Sequence, residues 1–257
     1  FVVSYRPPPQ SMPTFFIAPE AITLPTIQIA GPLLHHLRES LRLHRGESLI
    51  LTDHQGIRYH VEVTDITSRA IHARVVDQET APPRSTPQIV LGQALLKGEK
   101  MDWVLQKATE LGVDTIVPLE THHSVVKPNP ERLEHQRNRW RRIVLEAAQQ
   151  SERWTIPQVS DPTTLARFVD RQSGATIKGI LSERSKGSSL TSLMLPCEPH
   201  HMIVLAVGPE GGWTPEEQQL ARDCGFVALT LGGRILRAET ATLAALSILQ
   251  SRLGELG

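Results

Sequence analysis

The sequence lacks the features that mark several common protein classes. Its 257 residues include 2 cysteines, Cys197 and Cys224, and their placement gives no metal-ligand motif. This excludes a disulfide scaffold and a cysteine-ligated zinc site, and both thiols fit a reducing compartment. No apolar run approaches the roughly 18 residues that a membrane-spanning helix needs. The prolines at 7–9 would interrupt a signal peptide, so we expect a soluble, cytoplasmic protein with neither metal nor membrane as partner.

A net charge is missing as well. The chain has 27 Lys and Arg residues against 27 Asp and Glu residues, which gives a formal net charge of 0. No global basic field therefore indicates nucleic acid, and any contact with RNA must depend on local patches. The apolar content of 40% is ordinary for a globular protein with a hydrophobic core.

The first part of the chain has a mostly β pattern, interrupted by one helix. Leu33, Leu37 and Leu41 recur at a spacing of four after Pro32, which predicts that helix. Strands are predicted at 26–29, 48–52, 57–64 and 70–76. A proline-rich linker follows at 81–87, so we expect a small domain over residues 14–80.

Beyond the linker, strands and helices alternate. The predicted strands are 89–96, 115–119, 177–181, 202–207 and 227–231, and the predicted helices are 100–111, 131–153, 214–223 and 239–253. Thr214, Pro215 and Glu217 form a capping box at the start of the third helix. This alternation predicts a mainly parallel α/β sheet with helices on both faces, over residues 88–257.

Two of these strands end in glycine loops, Gly208-Pro209-Glu210-Gly211-Gly212 and Gly232-Gly233-Arg234-Ile235-Leu236-Arg237, each followed by a helix. Glycines let backbone N–H groups approach a ligand, and helix N-termini supply further donors, so the pair indicates a ligand pocket. Two ordinary strand-to-helix turns remain the alternative. Neither loop has the spacing of a P-loop or of a dinucleotide fold, which favours a ligand with few phosphates.

The two loops, with the continuation Ala238-Glu-Thr-Ala241, resemble the signature of the RsmE family. These are 16S ribosomal RNA uridine-N3 methyltransferases of the SPOUT superfamily. The segments Lys97-Gly-Glu-Lys-Met-Asp102, Gln106-Lys-Ala-Thr-Glu-Leu-Gly112, Ser124-Val-Val-Lys127 and Glu146-Ala-Ala-Gln-Gln-Ser-Glu-Arg153 carry the same resemblance.

The resemblance implies a PUA-like β-barrel domain followed by an α/β SPOUT domain with a C-terminal trefoil knot. It also implies a homodimer that binds S-adenosylmethionine and acts on 16S rRNA of the small ribosomal subunit. The residues expected at the cofactor are Leu205, Gly208, Pro209, Glu210, Gly211, Gly212, Leu231, Gly232, Ile235, Leu236, Arg237 and Thr240.

Arg237 and Glu239 are the candidate catalytic residues. Removing the N3 proton of uridine spreads negative charge to O2 and O4, and Arg237 is placed to stabilise that charge. Glu239 is a candidate to orient Arg237, to cap the last helix or, least favoured, to accept the proton, because a carboxylate is a weak base at neutral pH. A purely structural ion pair between the two is the alternative.

Basic residues on both parts of the chain are candidates for RNA contact: His35, Arg38, Arg42, His123, Lys127, Arg137 and Arg141. Arginines at 137–142 form either a phosphate-binding cluster or a solvated helix face. The chain departs from the family at His122 and His123, where an acidic and a basic residue are usual. These histidines either contact RNA or are simply solvated.

Two other functions fit the same residues. One is a non-catalytic RNA-binding or assembly protein with a vestigial pocket. The other is a related SPOUT enzyme that methylates the ribose 2′-oxygen of rRNA or tRNA. Intact glycine loops and an intact Arg237 favour a methyltransferase over a vestigial pocket.

Overall fold

The computed structural model describes residues 12–127, 130–182, 187–196 and 198–256, and these divide into two compact units. The first unit ends at Pro82 and also takes in residues 152–155, whereas the second comprises 83–151 and 156 onwards. The prolines at 7–9 and Cys197 lie outside the described residues. Within them, no helix is both long enough and apolar enough to cross a membrane.

The first unit is a twisted sheet in the order β1-β4-β5-β6-β3-β2, in which β1 pairs parallel with β4 and the other pairs are antiparallel. Its strands are β1 (Thr14–Phe16), β2 (Ile22–Thr23), β3 (Thr26–Ile29), β4 (Ser48–Thr52), β5 (Ile57–Ile66) and β6 (Ile71–Thr80). All four predicted strands are confirmed here, and the structure adds β1 and β2. The alternating residues Tyr59, Val61 and Val63 of β5 face the core, which explains the period-2 pattern.

The helix predicted after Pro32 is present, but its leucine stripe is only partly buried. It runs as α1 (Gly31–His35) and continues as a π-helical turn over His36–Ser40. Leu37 is fully buried, whereas Leu41 is 43% exposed. A π turn holds more residues per turn than an α-helix, so a spacing of four no longer keeps Leu41 on the buried face. That part of the prediction was wrong.

The second unit contains a parallel sheet in the order β10-β8-β7-β13-β11-β14-β12, with β9 beside β8. The strands are β7 (Gln88–Ala94), β8 (Thr115–Glu120), β9 (Gln158–Val159), β10 (Thr163–Thr164), β11 (Ile177–Leu181), β12 (Ser188–Ser189), β13 (Met202–Val207) and β14 (Val227–Thr230). The helices are α2 (Lys100–Glu110), α3 (Pro130–Gln150), α4 (Leu165–Asp170), α5 (Pro215–Asp223) and α6 (Ala238–Arg252).

Helices cover both faces of this sheet, as the alternation predicts. Along β13, Leu205 belongs to the core shared with α2, α3 and α6, whereas Val204 and Ala206 belong to the core shared with α4 and α5. Strands buried on both faces read as continuous apolar runs, which is why β13 has no polar alternation.

The short elements β9, β10, β12 and α4 are missing from the prediction. Strands of two residues and a helix of six residues are too short to show a period. The predicted helix 131–153 ends instead at Gln150, and Glu152 follows with a left-handed φ of 51°. The capping box at Thr214 and Glu217 is confirmed, with both reciprocal hydrogen bonds present.

Candidate active site

A cleft of about 290 Å³ opens beyond the carboxyl ends of the central strands of the parallel sheet. Three of its walls are strand ends, at Leu181 of β11, Val207 of β13 and Leu229 of β14. The first glycine loop (residues 208–212) and the second glycine loop (residues 232–237) leave β13 and β14 at this edge. Ligands of open parallel sheets bind at such carboxyl ends, so the fold itself marks this cleft as a site.

Eight of the twelve residues predicted at the cofactor line the cleft: Gly208, Pro209, Glu210, Gly211, Gly212, Leu231, Gly232 and Leu236. The other four are placed elsewhere. Leu205 is 1% exposed and packs in the core, because it points to the face of β13 that α2 and α6 cover. Ile235, Arg237 and Thr240 are exposed beside the cleft rather than in its wall.

Several lining residues were not predicted from the sequence: Leu181, Ser182, Val207, Trp213, Gln218, Leu229, Ala238 and Ala241. Arg234, inside the predicted second glycine loop, also lines the cleft. The position of Leu181 at the end of a predicted strand was a usable signal. Trp213 directly follows the glycines, and its indole Nε1 donates a hydrogen bond to the carbonyl oxygen of Leu181 at 2.8 Å. This bond ties the first glycine loop to β11.

The loop at residues 121–127 also supports the first glycine loop. The Nδ1 atom of His123 lies 3.0 Å from the carbonyl oxygen of Gly212, so Nδ1 must carry the proton that makes this bond. A Cβ added at Gly211 would lie 2.8 Å from Cβ of His123. Residue 211 is therefore glycine because His123 approaches closely. The backbone N–H of His122 donates to Glu217 of α5 at 2.8 Å.

Lys100, the first residue of α2, links the first glycine loop to α6. Its Nζ lies 2.8 Å from Oε1 of Glu210 and 3.7 Å from Oε2 of Glu239. The hydrogen bond to Glu210 is the main reason that the pKa of Lys100 is raised. Burial opposes ionisation of Glu210, but the hydrogen bond from Lys100, a backbone hydrogen bond and the nearby lysine charges lower its pKa overall. Both groups are thus charged at neutral pH.

Arg237 is exposed at the start of α6, and among the described residues its guanidinium has no hydrogen bond or ion pair. The ion pair between Arg237 and Glu239 that the sequence leaves open is absent, because Glu239 has Lys100 as its partner. The Oε2 atom of Glu239 is buried without a hydrogen-bond partner in the part of the chain that the structure describes. The described structure therefore has an unpaired guanidinium beside the cleft.

The candidate RNA-binding residues of the second unit differ in whether their side chains already have a partner within the protein. Arg137 of α3 pairs with Asp161 at 2.6 Å and with Glu134 at 3.4 Å. Arg141 is exposed, and no contact of its side chain is found within the described ranges. Lys127 donates to the carbonyl oxygen of Thr121 at 3.2 Å, inside its own loop.

In the first unit, His35, Arg38 and Arg42 lie on or just after the short helix, and all three are exposed. Arg38 donates to the carbonyl oxygens of Thr67 and Ser68 at 3.4 and 3.3 Å, and His35 lies 3.8 Å from Glu39. We call these three exposed basic side chains the basic patch of the first unit.

The cleft fits S-adenosylmethionine by the kind of groups that line it. Leucine and valine side chains form apolar walls for a flat adenine, and loop backbone and Ser182 supply polar contacts. Gly232 adopts a φ of 111°, which residues with a side chain rarely adopt. The second loop can therefore turn its backbone toward the cleft only with glycine at this position. Leu181, Leu229 and Leu231 would pack on the base, and Glu210 would face the polar half.

Comparison with known proteins agrees with this geometry. The model of an RNA methyltransferase domain matches residues 83–250, and that of an RNA methyltransferase PUA domain matches residues 29–76. A curated relative from Synechocystis, named ribosomal RNA small subunit methyltransferase E, is 34% identical over 98% of this chain and 79% of its own length. The chain belongs to the ribosomal RNA small subunit methyltransferase E family. The resemblance described from the motifs is thereby confirmed.

Solved structures of the family, or similar to it, have the same fold. The Neisseria gonorrhoeae methyltransferase E bound to S-adenosyl methionine has a TM-score of 0.84 at 34% identity, over 94% of this chain and 98% of that one. A putative methyltransferase from Legionella pneumophila in complex with SAM has a TM-score of 0.85 at 31% identity, with the same shares covered. The predicted fold class, an α/β SPOUT methyltransferase domain after a small PUA-like domain, is confirmed.

Proposed function

We propose that this protein methylates N3 of a uridine in 16S rRNA of the small ribosomal subunit, with S-adenosylmethionine as methyl donor. Membership of the small subunit methyltransferase E family supports the rRNA substrate, and two similar structures contain the cofactor. The single observation that carries the choice of site is the cleft between two glycine loops, with an unpaired arginine, Arg237, directly between the lining residues Leu236 and Ala238 in sequence.

The residues in and beside the cleft have different roles in the reaction. When bound, S-adenosylmethionine supplies a methyl group on a positively charged sulfur, which is already a strong electrophile. The two glycine loops would hold the cofactor, and its orientation toward the attacking nitrogen would favour the transfer. Arg237 stabilises the negative charge that spreads to O2 and O4 as the N3 proton leaves. Glu239 has a supporting role, because Lys100 pairs with it and a carboxylate is a weak base at neutral pH.

Product analysis tests this function. Small ribosomal subunits from a strain that lacks the modification are incubated with the protein and labelled cofactor, and nucleosides are then separated by mass spectrometry. We expect 3-methyluridine as the labelled product. A methyl group on a ribose 2′-oxygen would instead identify the related SPOUT activity, and no transfer at all would favour a non-catalytic binding protein.

We also propose that RNA is held by the basic patch of the first unit (His35, Arg38 and Arg42) together with His123, Lys127, Arg137 and Arg141 of the second. Among the α3 arginines, the exposure of Arg141 favours it over Arg137, whose charge is already paired. Arg141→Ala should lower the slope of log affinity against log salt by about 1 if the arginine contacts a phosphate. Arg137→Ala should change the slope less, because Asp161 already pairs with that arginine, and an equal change in both variants would remove the distinction.

A homodimer formed through α6 and a cytoplasmic location complete the proposal. Leu246 and Leu249 of α6 are buried in the chain's own core, but Leu243 and Ala244 are apolar, partly exposed and outside the core clusters. A second copy of the chain is a partner that would cover them. Light scattering at micromolar concentration should give twice the chain mass for the wild type and a monomer for Leu243→Glu. A fully active wild-type monomer would overturn the dimer.

A further inference from the structure

Lys100 occupies a position that its own helix does not favour. It is the first residue of α2, where the helix dipole presents its positive end, and a cation there is locally unfavourable. Two carboxylates from other parts of the chain compensate: Glu210 in the first glycine loop and Glu239 in the first turn of α6. The contact with Glu239 is the more enclosed, since that side chain is only 15% exposed. Tertiary contacts, not helix propensity, thus hold this lysine in place.

The contact between Lys100 and Glu239 affects Arg237. Arg237 precedes Glu239 by two residues, and its charge is near enough to Lys100 to oppose the rise in the pKa of that lysine. A guanidinium binds a carboxylate in a strong, two-pronged ion pair, so a Glu239 carboxylate released from Lys100 would compete for Arg237. In the described structure, Glu239 faces Lys100, and the guanidinium of Arg237 has no carboxylate partner.

We propose that Lys100 is a positioning residue, which holds Glu239 and so keeps the guanidinium of Arg237 free for the charge on the uracil oxygens. The proposal rests on the function proposed for Arg237. It assigns a role to the Lys97-Gly-Glu-Lys-Met-Asp102 motif, and it makes the charge on Glu239 harmful whenever Lys100 is missing.

That consequence can be tested with three variants: Lys100→Met, Glu239→Gln and the double variant. Single-turnover formation of 3-methyluridine is measured with the cofactor at saturation. Loss of the contact between Lys100 and Glu210 could weaken cofactor binding, and at saturation a weaker affinity does not lower the measured rate. Lys100→Met should lose at least about tenfold in rate, approaching the roughly 10²–10³ expected for loss of one charge-stabilising contact. The double variant should regain most of that loss, because a neutral glutamine no longer competes for Arg237.

A second measurement needs neither cofactor nor RNA. The ligand-free protein is treated with an arginine-selective dicarbonyl reagent, and modification of Arg237 is followed by peptide mass spectrometry. We expect rapid modification in the wild type, slower modification in Lys100→Met and recovery in the double variant. Lys107→Met is the matched control, because Lys107 lies on the same helix but pairs with Glu110 at 2.8 Å.

The outcomes separate the positioning role from its alternatives. If Glu239 accepts the N3 proton, or if Lys100 itself contacts the uracil, the double variant will be no faster than Lys100→Met, and the proposal is overturned. Unchanged rate and unchanged modification in Lys100→Met would overturn it as well. If the wild type forms no 3-methyluridine, the proposed function fails instead, whereas the modification of Arg237 still reports on the role of Lys100.

Discussion

The two glycine loops of the cleft are alike in sequence pattern but differ in how the rest of the protein holds them. The first glycine loop has contacts from three directions: Trp213 bonds to β11, His123 bonds to Gly212, and Lys100 bonds to Glu210. Side chains of the second glycine loop are largely exposed, with Ile235 at 64%, and none of them has a hydrogen bond or ion pair among the described residues.

This difference indicates that the two glycine loops have different roles in the reaction. A loop held by buried tryptophan and by hydrogen bonds keeps its shape before a ligand arrives, which suits the recognition of one small molecule. A loop without such contacts can adjust and keeps its charged groups unpaired for a large substrate. We therefore expect changes in the first glycine loop to act on cofactor affinity, and loss of the unpaired Arg237 of the second loop to act on turnover.

The largest effect should come from Arg237→Ala in the second glycine loop. Loss of the cation beside O2 and O4 should lower the rate of methyl transfer by roughly 10²–10³, with cofactor affinity nearly unchanged. Single-turnover kinetics and calorimetry measure the two quantities. The exposed Arg167 of α4 provides the control, since Arg167→Ala should change neither; near-normal turnover in Arg237→Ala would contradict the assignment.

A smaller effect, on binding rather than on rate, is expected at Gly211 of the first glycine loop. A methyl group there would lie 2.8 Å from Cβ of His123, so Gly211→Ala must displace one of the two loops and weaken cofactor binding. Gly233 of the second loop is the matched control, because a Cβ added there meets nothing within 4 Å. Gly233→Ala should keep the melting temperature of the cofactor-free protein. Calorimetry that found unchanged affinity in a folded Gly211→Ala protein would show that the close approach is unimportant.

The smallest effect is expected at His123, through one hydrogen bond. His123→Ala removes the donor to Gly212, and a hydrogen bond of this kind contributes about 0.5–1.5 kcal/mol, or roughly a two- to tenfold loss of cofactor affinity. His123→Asn places an amide N–H where Nδ1 stood and should restore most of the lost cofactor affinity. If alanine and asparagine behave alike in calorimetry, His123 acts through RNA or not at all.

Much of the fold was predictable because long helices and strands produce a clear periodic pattern of apolar residues in the sequence. The apolar run of β13 and the capping box of α5 follow from local rules, and both occur as expected. The exposure of Leu41 was not predictable, since nothing in the leucine spacing reveals the π turn before it. The small strands and α4 were missed because their positions depend on strands that are distant in sequence.

The candidate site also has a part that the sequence predicts and a part that it does not. The glycine loops, which supply eight of the 17 residues that line the cleft, are visible in the sequence because glycine followed by a helix start is a local pattern. The partners of those loops are not visible: Lys100 is 110 residues from Glu210, and His123 is 89 residues from Gly212. Which carboxylate faces which cation is decided by distances across the folded chain. Sequence alone therefore determined the parts of the pocket, and only the tertiary structure decided that Glu239 pairs with Lys100 and leaves Arg237 unpaired.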